Sequence, residues 1–186
     1  MATVFSHSIA ALALGQAVPL EPKRARFWVL TAVLAALPDI DVLGFGFGIR
    51  YSDMLGHRGF THSLSFAILV ACLVVLLAYG EIATFSARWF KLVTYFAVVI
   101  ASHGVLDAMT NGGLGVAFFA PFSNERYFFP WRPIEVSPLG VEPFLSGRGL
   151  QVIISEIKWI WIPSALLATV ATVYRRIRRS KPTPPA

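Results

Sequence analysis

Seven residues of this chain have side chains suited to metal or acid–base chemistry, and all stand at or near the ends of apolar runs: His7, Asp39, Asp41, His57, His62, His103 and Asp107. His57 and His62 belong to the heptapeptide His57-Arg58-Gly59-Phe60-Thr61-His62-Ser63, at the mouth of a long apolar stretch. His103-Gly104-Val105-Leu106-Asp107 closes another. Residues four apart share a helical face, with Cβ atoms about 5–6 Å apart. His103 and Asp107 therefore suit two ligands of one metal, or of two neighbouring metals, or a plain His–Asp hydrogen bond. Asn111 continues the stripe as a candidate supporting group. On one continuous helix His57 and His62 would point roughly 140° apart. Gly59 between them allows a turn, so that His57 comes from a loop and His62 from the first helical turn. Asp39 and Asp41 lie beside Pro38. On a helix they would not face each other; in an irregular turn both reach inward, and capping a helix is the plainer role. His7 is a lone histidine in an apolar helix and gains weight only from its company.

Imidazoles and carboxylates without thiolates suit zinc, with manganese or iron as alternatives. The single cysteine, Cys72, excludes a cysteine-based site and an intrachain disulfide. Seven candidates exceed the needs of one four-coordinate zinc. Either two ions are held, or one ion with Asp39 or Asp41 as a catalytic acid–base carboxylate. Arg58 is a fixed cation that can hold a phosphate, with the catalytic role of stabilising negative charge developing on it, or neutralise a carboxylate; the plainer reading is a charge facing lipid headgroups. Arg126 and Arg132 are further candidates for anion or substrate binding.

These residues must be positioned by helices in a membrane. The chain has 186 residues, 56% hydrophobic and 14% charged, and a mean hydropathy of +0.65. An ordinary soluble domain carries about 25% charged residues. The apolar runs 3–18, 27–37, 60–79, 92–109 and 157–174 predict an all-α polytopic membrane protein with four clear spans and a shorter N-terminal helix. The apolar N-terminus lacks the basic region of a signal peptide. The chain reads as a single domain over 1–180, with a Pro-, Phe-, Trp- and Gly-rich segment at about 111–156 and a disordered tail at 181–186. The net charge of +6 does not indicate nucleic acid, because Arg175, Arg176, Arg178, Arg179 and Lys181 directly follow an apolar run. Such a cluster faces anionic lipid headgroups in the cytoplasm. Counting back through five alternating helices puts ten Lys and Arg inside and six outside, as the positive-inside rule requires. The same topology places all four histidines, with Asp39, Asp41 and Asp107, on the extracytoplasmic side of a plasma membrane.

The motifs Ser6-His7, Leu37-Pro38-Asp39-Ile40-Asp41, His57-Arg58-Gly59-Phe60-Thr61-His62-Ser63 and His103-Gly104-Val105-Leu106-Asp107, in this order, resemble the YdjM-like family of membrane-bound metal-dependent hydrolases. The resemblance runs from about residue 6 to about residue 135 and includes the Pro121-Phe122-Ser123…Arg126 segment; the last helix carries no motif. The family's histidines and aspartates match at His7, Asp39, Asp41, His57, His62, His103 and Asp107. More distantly, the pattern is similar to the all-α zinc phospholipase C fold, which implies a phosphoester substrate, a lipid among the options. The rival reading is a non-enzymatic protein using the same residues for metal or proton transport, or as a structural metal site. A transporter should carry polar groups across the whole membrane depth, whereas 67–78 and 92–101 hold few.

Overall fold

A computed structural model describes residues 1–20 and 23–179; the tail expected to be disordered, 181–186, lies outside the described residues. Among the described residues there is no β-strand, only two isolated bridges. Five apolar helical stretches stand close to where the sequence places them. Helix α1 is Val4–Ala17. Helix α2, Ala25–Ala36, continues as a 3-10 helix over Leu37–Phe47. Helix α3 is Leu64–Ala78 and α4 is Ala87–Ala108. Helix α5 joins Gly149–Glu156, a wide turn over Ile157–Trp161 and Ile162–Arg179.

Three of these are long and apolar enough to cross a membrane: Ala25–Phe47, Ala87–Ala108 and Gly149–Arg178. α1 and α3 are shorter, at 14 and 15 residues. This differs from the expected four clear spans. The stretch 60–79 loses its first turn because Phe60–His62 forms a 3-10 turn and Ser63 caps the helix, its hydroxyl accepting from Phe66 N at 3.1 Å. The last helix gains two turns instead, beginning at Gly149 rather than near 157. Its Pro163 is accommodated by the preceding wide turn, in which the Ile162 amide bonds to the Ile157 carbonyl. An i→i+5 turn gives the proline ring room that a tight helix would deny it.

The helices pack as α3 on α4, α2 on α4, and α1 on both α2 and α5. α3 buries Ala67, Ala71 and Val75, one residue per turn, in the core that includes Leu92, Phe96 and Val99 of α4. Small residues in such a stripe let two backbones approach closely, as helices in lipid require. The opposite face of α3 exposes Leu69, Leu73, Leu76 and Leu77. A helix apolar on both faces belongs in lipid or a core. The polar pair between α2 and α4 is satisfied: Thr31 Oγ1 donates to Phe27 O at 2.8 Å and lies 2.8 Å from the Tyr95 hydroxyl. The helix directions bring the start of α1, the 3-10 extension of α2, the approach to α3 and the end of α4 to one end of the bundle. All seven candidate residues collect there.

Candidate metal centre

Pro38 opens the 3-10 run, where its missing N–H breaks no helical bond. At three residues per turn, Asp39 and Asp41 diverge toward different neighbours. The loop before α3 is shaped by two departures from ordinary backbone. Arg58 adopts φ 63°, so the left-handed residue is the arginine and not Gly59. Gly59 is required by closeness instead: a Cβ there would lie 2.1 Å from the Met54 carbonyl oxygen. Gly104 admits the turn carrying His62 onto α4, since its Cβ would come within 3.0 Å of the His62 carbonyl oxygen.

His103 sets its Nδ1 2.7 Å from the Ala35 carbonyl oxygen, which requires that nitrogen to donate, and presents Nε2 to Asp39 Oδ1 at 3.2 Å. His62 sets Nδ1 3.1 Å from Asp41 Oδ2. Its Nε2 lies 3.7 Å from Asp39 Oδ1 and 3.6 Å from Asp107 Oδ2. One donor atom from each of Asp39, His62, His103 and Asp107 falls within 4.8 Å of the others. His7 stacks on His103, with ring centroids 3.6 Å apart, and holds Nε2 3.5 Å from Asp107 Oδ1. Both ring nitrogens of His7, His62 Nε2 and Asp39 Oδ2 are buried with no hydrogen-bond partner. Each such orphan costs about 1–3 kcal/mol. Orphaned acceptors on imidazoles and carboxylates that face one another fit a divalent cation.

The electrostatics agree. His62 precedes the membrane-spanning part of α3, and burial opposes its charge. Asp107, Asp39 and Asp41 outweigh that burial and push its pKa up to about 10. Three carboxylates here demand a positive charge, and the protonated imidazole supplies it when no ion does.

A second group, Asp41, His57 and His62, also lies within 4.8 Å. Asp41 is already occupied by the protein. Its Oδ1 is 2.8 Å from His57 Nδ1, and its Oδ2 accepts from Thr61 Oγ1 at 2.6 Å and Arg58 N at 3.2 Å besides facing His62. This is the arrangement of a carboxylate that fixes the orientation of a metal-binding histidine. Asp41 can thus serve with His57 and His62 as a metal ligand, as expected, and the same contacts let it orient both imidazoles. Asp41→Asn is expected to weaken metal affinity by about 10–100-fold without changing the number of ions bound at saturation. A chelator-competition titration measures both; loss of one ion per chain would instead make Asp41 a ligand of a second metal.

The arginines are placed differently from expectation. Arg58 is fully buried, not a headgroup-facing charge. Its Nε pairs with Asp107 Oδ2 at 3.0 Å, and its other two nitrogens donate to Gly112 O and Thr110 Oγ1, each at 2.9 Å. With those nitrogens engaged it holds Asp107 rather than reaching out for an anion. Arg126 donates to the carbonyls of His57, Tyr51 and Asp53 and so braces the loop. Arg132 is exposed and lies over the Phe128 ring. Asn111 donates to Glu135 and accepts from Val136 N, pinning its own segment rather than supporting the centre.

One residue had no signal in the motifs. Glu156, fully buried on α5, accepts from Thr3 Oγ1 at 2.6 Å and from Ser6 Oγ at 2.8 Å. Trp161 Nε1 donates to the same Ser6 at 2.7 Å. A carboxylate in the least patterned helix thus anchors the turn that carries His7. Its only clue was an acidic residue near an apolar run. Ala2 N, just before that turn, donates to Asp107 Oδ1 at 2.9 Å.

These features define a helical membrane protein with a buried His/Asp centre built at one end of its bundle. The chain belongs to the YdjM inner membrane protein family, whose model matches residues 1–180. It is 40% identical over 172 residues to the inner membrane protein YbcI of Escherichia coli (strain K12), covering 90% of this chain and 95% of that relative. An inner membrane location follows from the family and the apolar helices. No solved structure matches the chain significantly.

Proposed function

We propose that this protein is a metal-dependent hydrolase acting on a phosphoester or lipid-type substrate at the extracytoplasmic face of the inner membrane. The observation that carries the reading is the convergence of His62 and His103 Nε2 on the Asp39 and Asp107 carboxylates, with each ring fixed through its Nδ1. Asp39, His62, His103 and Asp107 would hold the ion, with His7 at its edge. A bound zinc, or manganese or iron, supplies Lewis acidity that lowers the pKa of a water from about 15.7 toward about 7. The chain's residues supply the rest. Asp39 is the least buried of the four and its Oδ2 has no hydrogen-bond partner among the described residues, which supports it as the carboxylate that takes a proton. Asp41 holds His62 in orientation, and Arg58 holds Asp107. Ile40, Leu43 and Phe47 follow Asp39 on the same 3-10 run and are exposed, which favours a substrate with an apolar tail.

The test is turnover of a phosphodiester, bis(4-nitrophenyl) phosphate, and of a short-chain phosphatidylglycerol by detergent-purified protein. Metal-loaded protein is expected to turn over at least one of them, and chelator-stripped protein neither. Asp39→Asn is expected to slow turnover about 100-fold or more. Metal binding without turnover of either probe would instead support a structural metal, a reading that the burial of His62, His103 and Asp107 also favours. Transport is disfavoured because the core beyond His103 is Ile100, Val99, Phe96 and Leu92.

The orientation is tested separately. In a Cys72→Ala background, Asp53→Cys is expected to react with an impermeant thiol reagent from outside the cell and Thr84→Cys is not. The opposite pattern reverses the topology.

A further inference from the structure

The end of the bundle opposite the His/Asp centre is where α2 and α4 begin and α3 ends. A cavity of about 140 Å³ lies there, lined by Arg24, Arg26, Phe27, Tyr79, Glu81 and Arg88. Read from the sequence, these arginines are only topology charges. The structure gathers three guanidinium groups from two helices around one small polar space.

Only one of the three is neutralised. Arg26 donates to Glu81 and to the Ala78 carbonyl, and its guanidinium lies over the Tyr79 ring, 4.0 Å from the centroid. Arg24 and Arg88 have no ion pair or hydrogen bond through their side chains among the described residues, and both are exposed. Among the described residues the cavity lining therefore has three cations against one carboxylate. Tyr79 also lines it. Tyr79 is 7% exposed, Arg26 stands beside its hydroxyl oxygen, and no described residue accepts the hydroxyl's proton. A buried hydroxyl normally donates its proton as well, so one without an acceptor beside excess positive charge indicates an acceptor supplied by a ligand. The N-termini of α2 and α4 add the positive ends of their dipoles at this end.

We propose that this cavity is an anion site that takes a phosphate group, bound by Arg24 and Arg88 and by a hydrogen bond from the Tyr79 hydroxyl, with Glu81 kept off the anion by Arg26. Arginine's planar fork matches phosphate oxygens, and the cavity suits a headgroup-sized anion rather than a nucleotide. The phosphate belongs either to an anionic phospholipid or to a soluble phosphate compound. The site is separate from the His/Asp centre and does not depend on that centre's reading.

The experiment uses the full chain, as wild type, Arg24→Gln/Arg88→Gln and Tyr79→Phe. Thermal midpoints are followed in detergent against inorganic phosphate. They are followed again in vesicles of phosphatidylcholine with and without phosphatidylglycerol. Wild type is expected to gain stability with one probe: phosphate in detergent assigns a soluble anion, and phosphatidylglycerol alone assigns a lipid headgroup. The arginine double variant is expected to need at least about tenfold more of that probe for the same shift, one broken charged contact corresponding to about 1.4 kcal/mol or more. Absence of any shift in wild type, or an undiminished shift in the double variant, overturns the proposal. Should the double variant not fold, Tyr79→Phe decides. It removes a hydroxyl that donates to no described residue and leaves the Arg26–Glu81 pair in place, and an undiminished shift there also overturns it.

Discussion

Detergent-purified His62→Ala is expected to retain little of the metal that wild type carries, with affinity reduced on the order of tenfold at the least. His62 is the one residue shared by both groups of converging donors. Its Nε2 faces Asp39 and Asp107, and its Nδ1 is held by Asp41. Alanine removes a ligand atom and leaves three carboxylates facing one another without a cation. Asp107→Ala should lose metal as well, for a second reason: it also strips Arg58 of its partner. Elemental analysis of the purified proteins measures both. Metal content equal to wild type in both variants would refute the centre.

Most of that centre was legible in the sequence. The spacing of His103 and Asp107, one helical turn apart, survives in α4. The residues flanking the apolar runs meet because alternating helices must return their ends to the same side. Side-chain direction was not legible. Nothing in Pro38-Asp39-Ile40-Asp41 distinguishes the carboxylate that faces His103 from the one that accepts from Thr61 and Arg58. That division is set by a 3-10 run whose continuation past the proline depends on packing. The sequence left Arg58 open between holding phosphate, neutralising a carboxylate and facing headgroups, because a buried arginine is visible only through its acceptors, and two of these, Thr110 and Gly112, lie more than fifty residues away. Glu156 was hidden for the same reason, with partners at Thr3 and Ser6. The length of the third helix was overestimated because hydropathy does not register a serine cap.

Arg58→Leu is expected to destabilise the protein by about 3–5 kcal/mol, the effect of leaving one partner of a buried ion pair uncompensated. Arg58 and Asp107 both have fully buried side chains. The loss should be larger in chelator-stripped protein than in metal-loaded protein, since a bound cation also neutralises Asp107. Arg58→Lys is expected to recover only part of the loss, because a single ammonium cannot reproduce three separate contacts to Asp107, Thr110 and Gly112. Thermal unfolding with and without metal checks all three. An unfolding midpoint that does not move, with a raised KM for a phosphoester, would return Arg58 to substrate binding.

The brevity of α3 has a consequence for the lipid around it. Fifteen residues of helix span about 22 Å at 1.5 Å each, against a hydrocarbon thickness of about 30 Å. α4 reaches His103 from Ala87 in a similar length. Either the bilayer thins beside this face or the His/Asp centre lies recessed beneath the phosphate plane, near the depth of the ester linkages. Such hydrophobic mismatch carries a modest energy for every ångström. A bilayer that thickens would draw Asp39 deeper into the acyl region, away from water and below the glycerol backbones of the surrounding lipids.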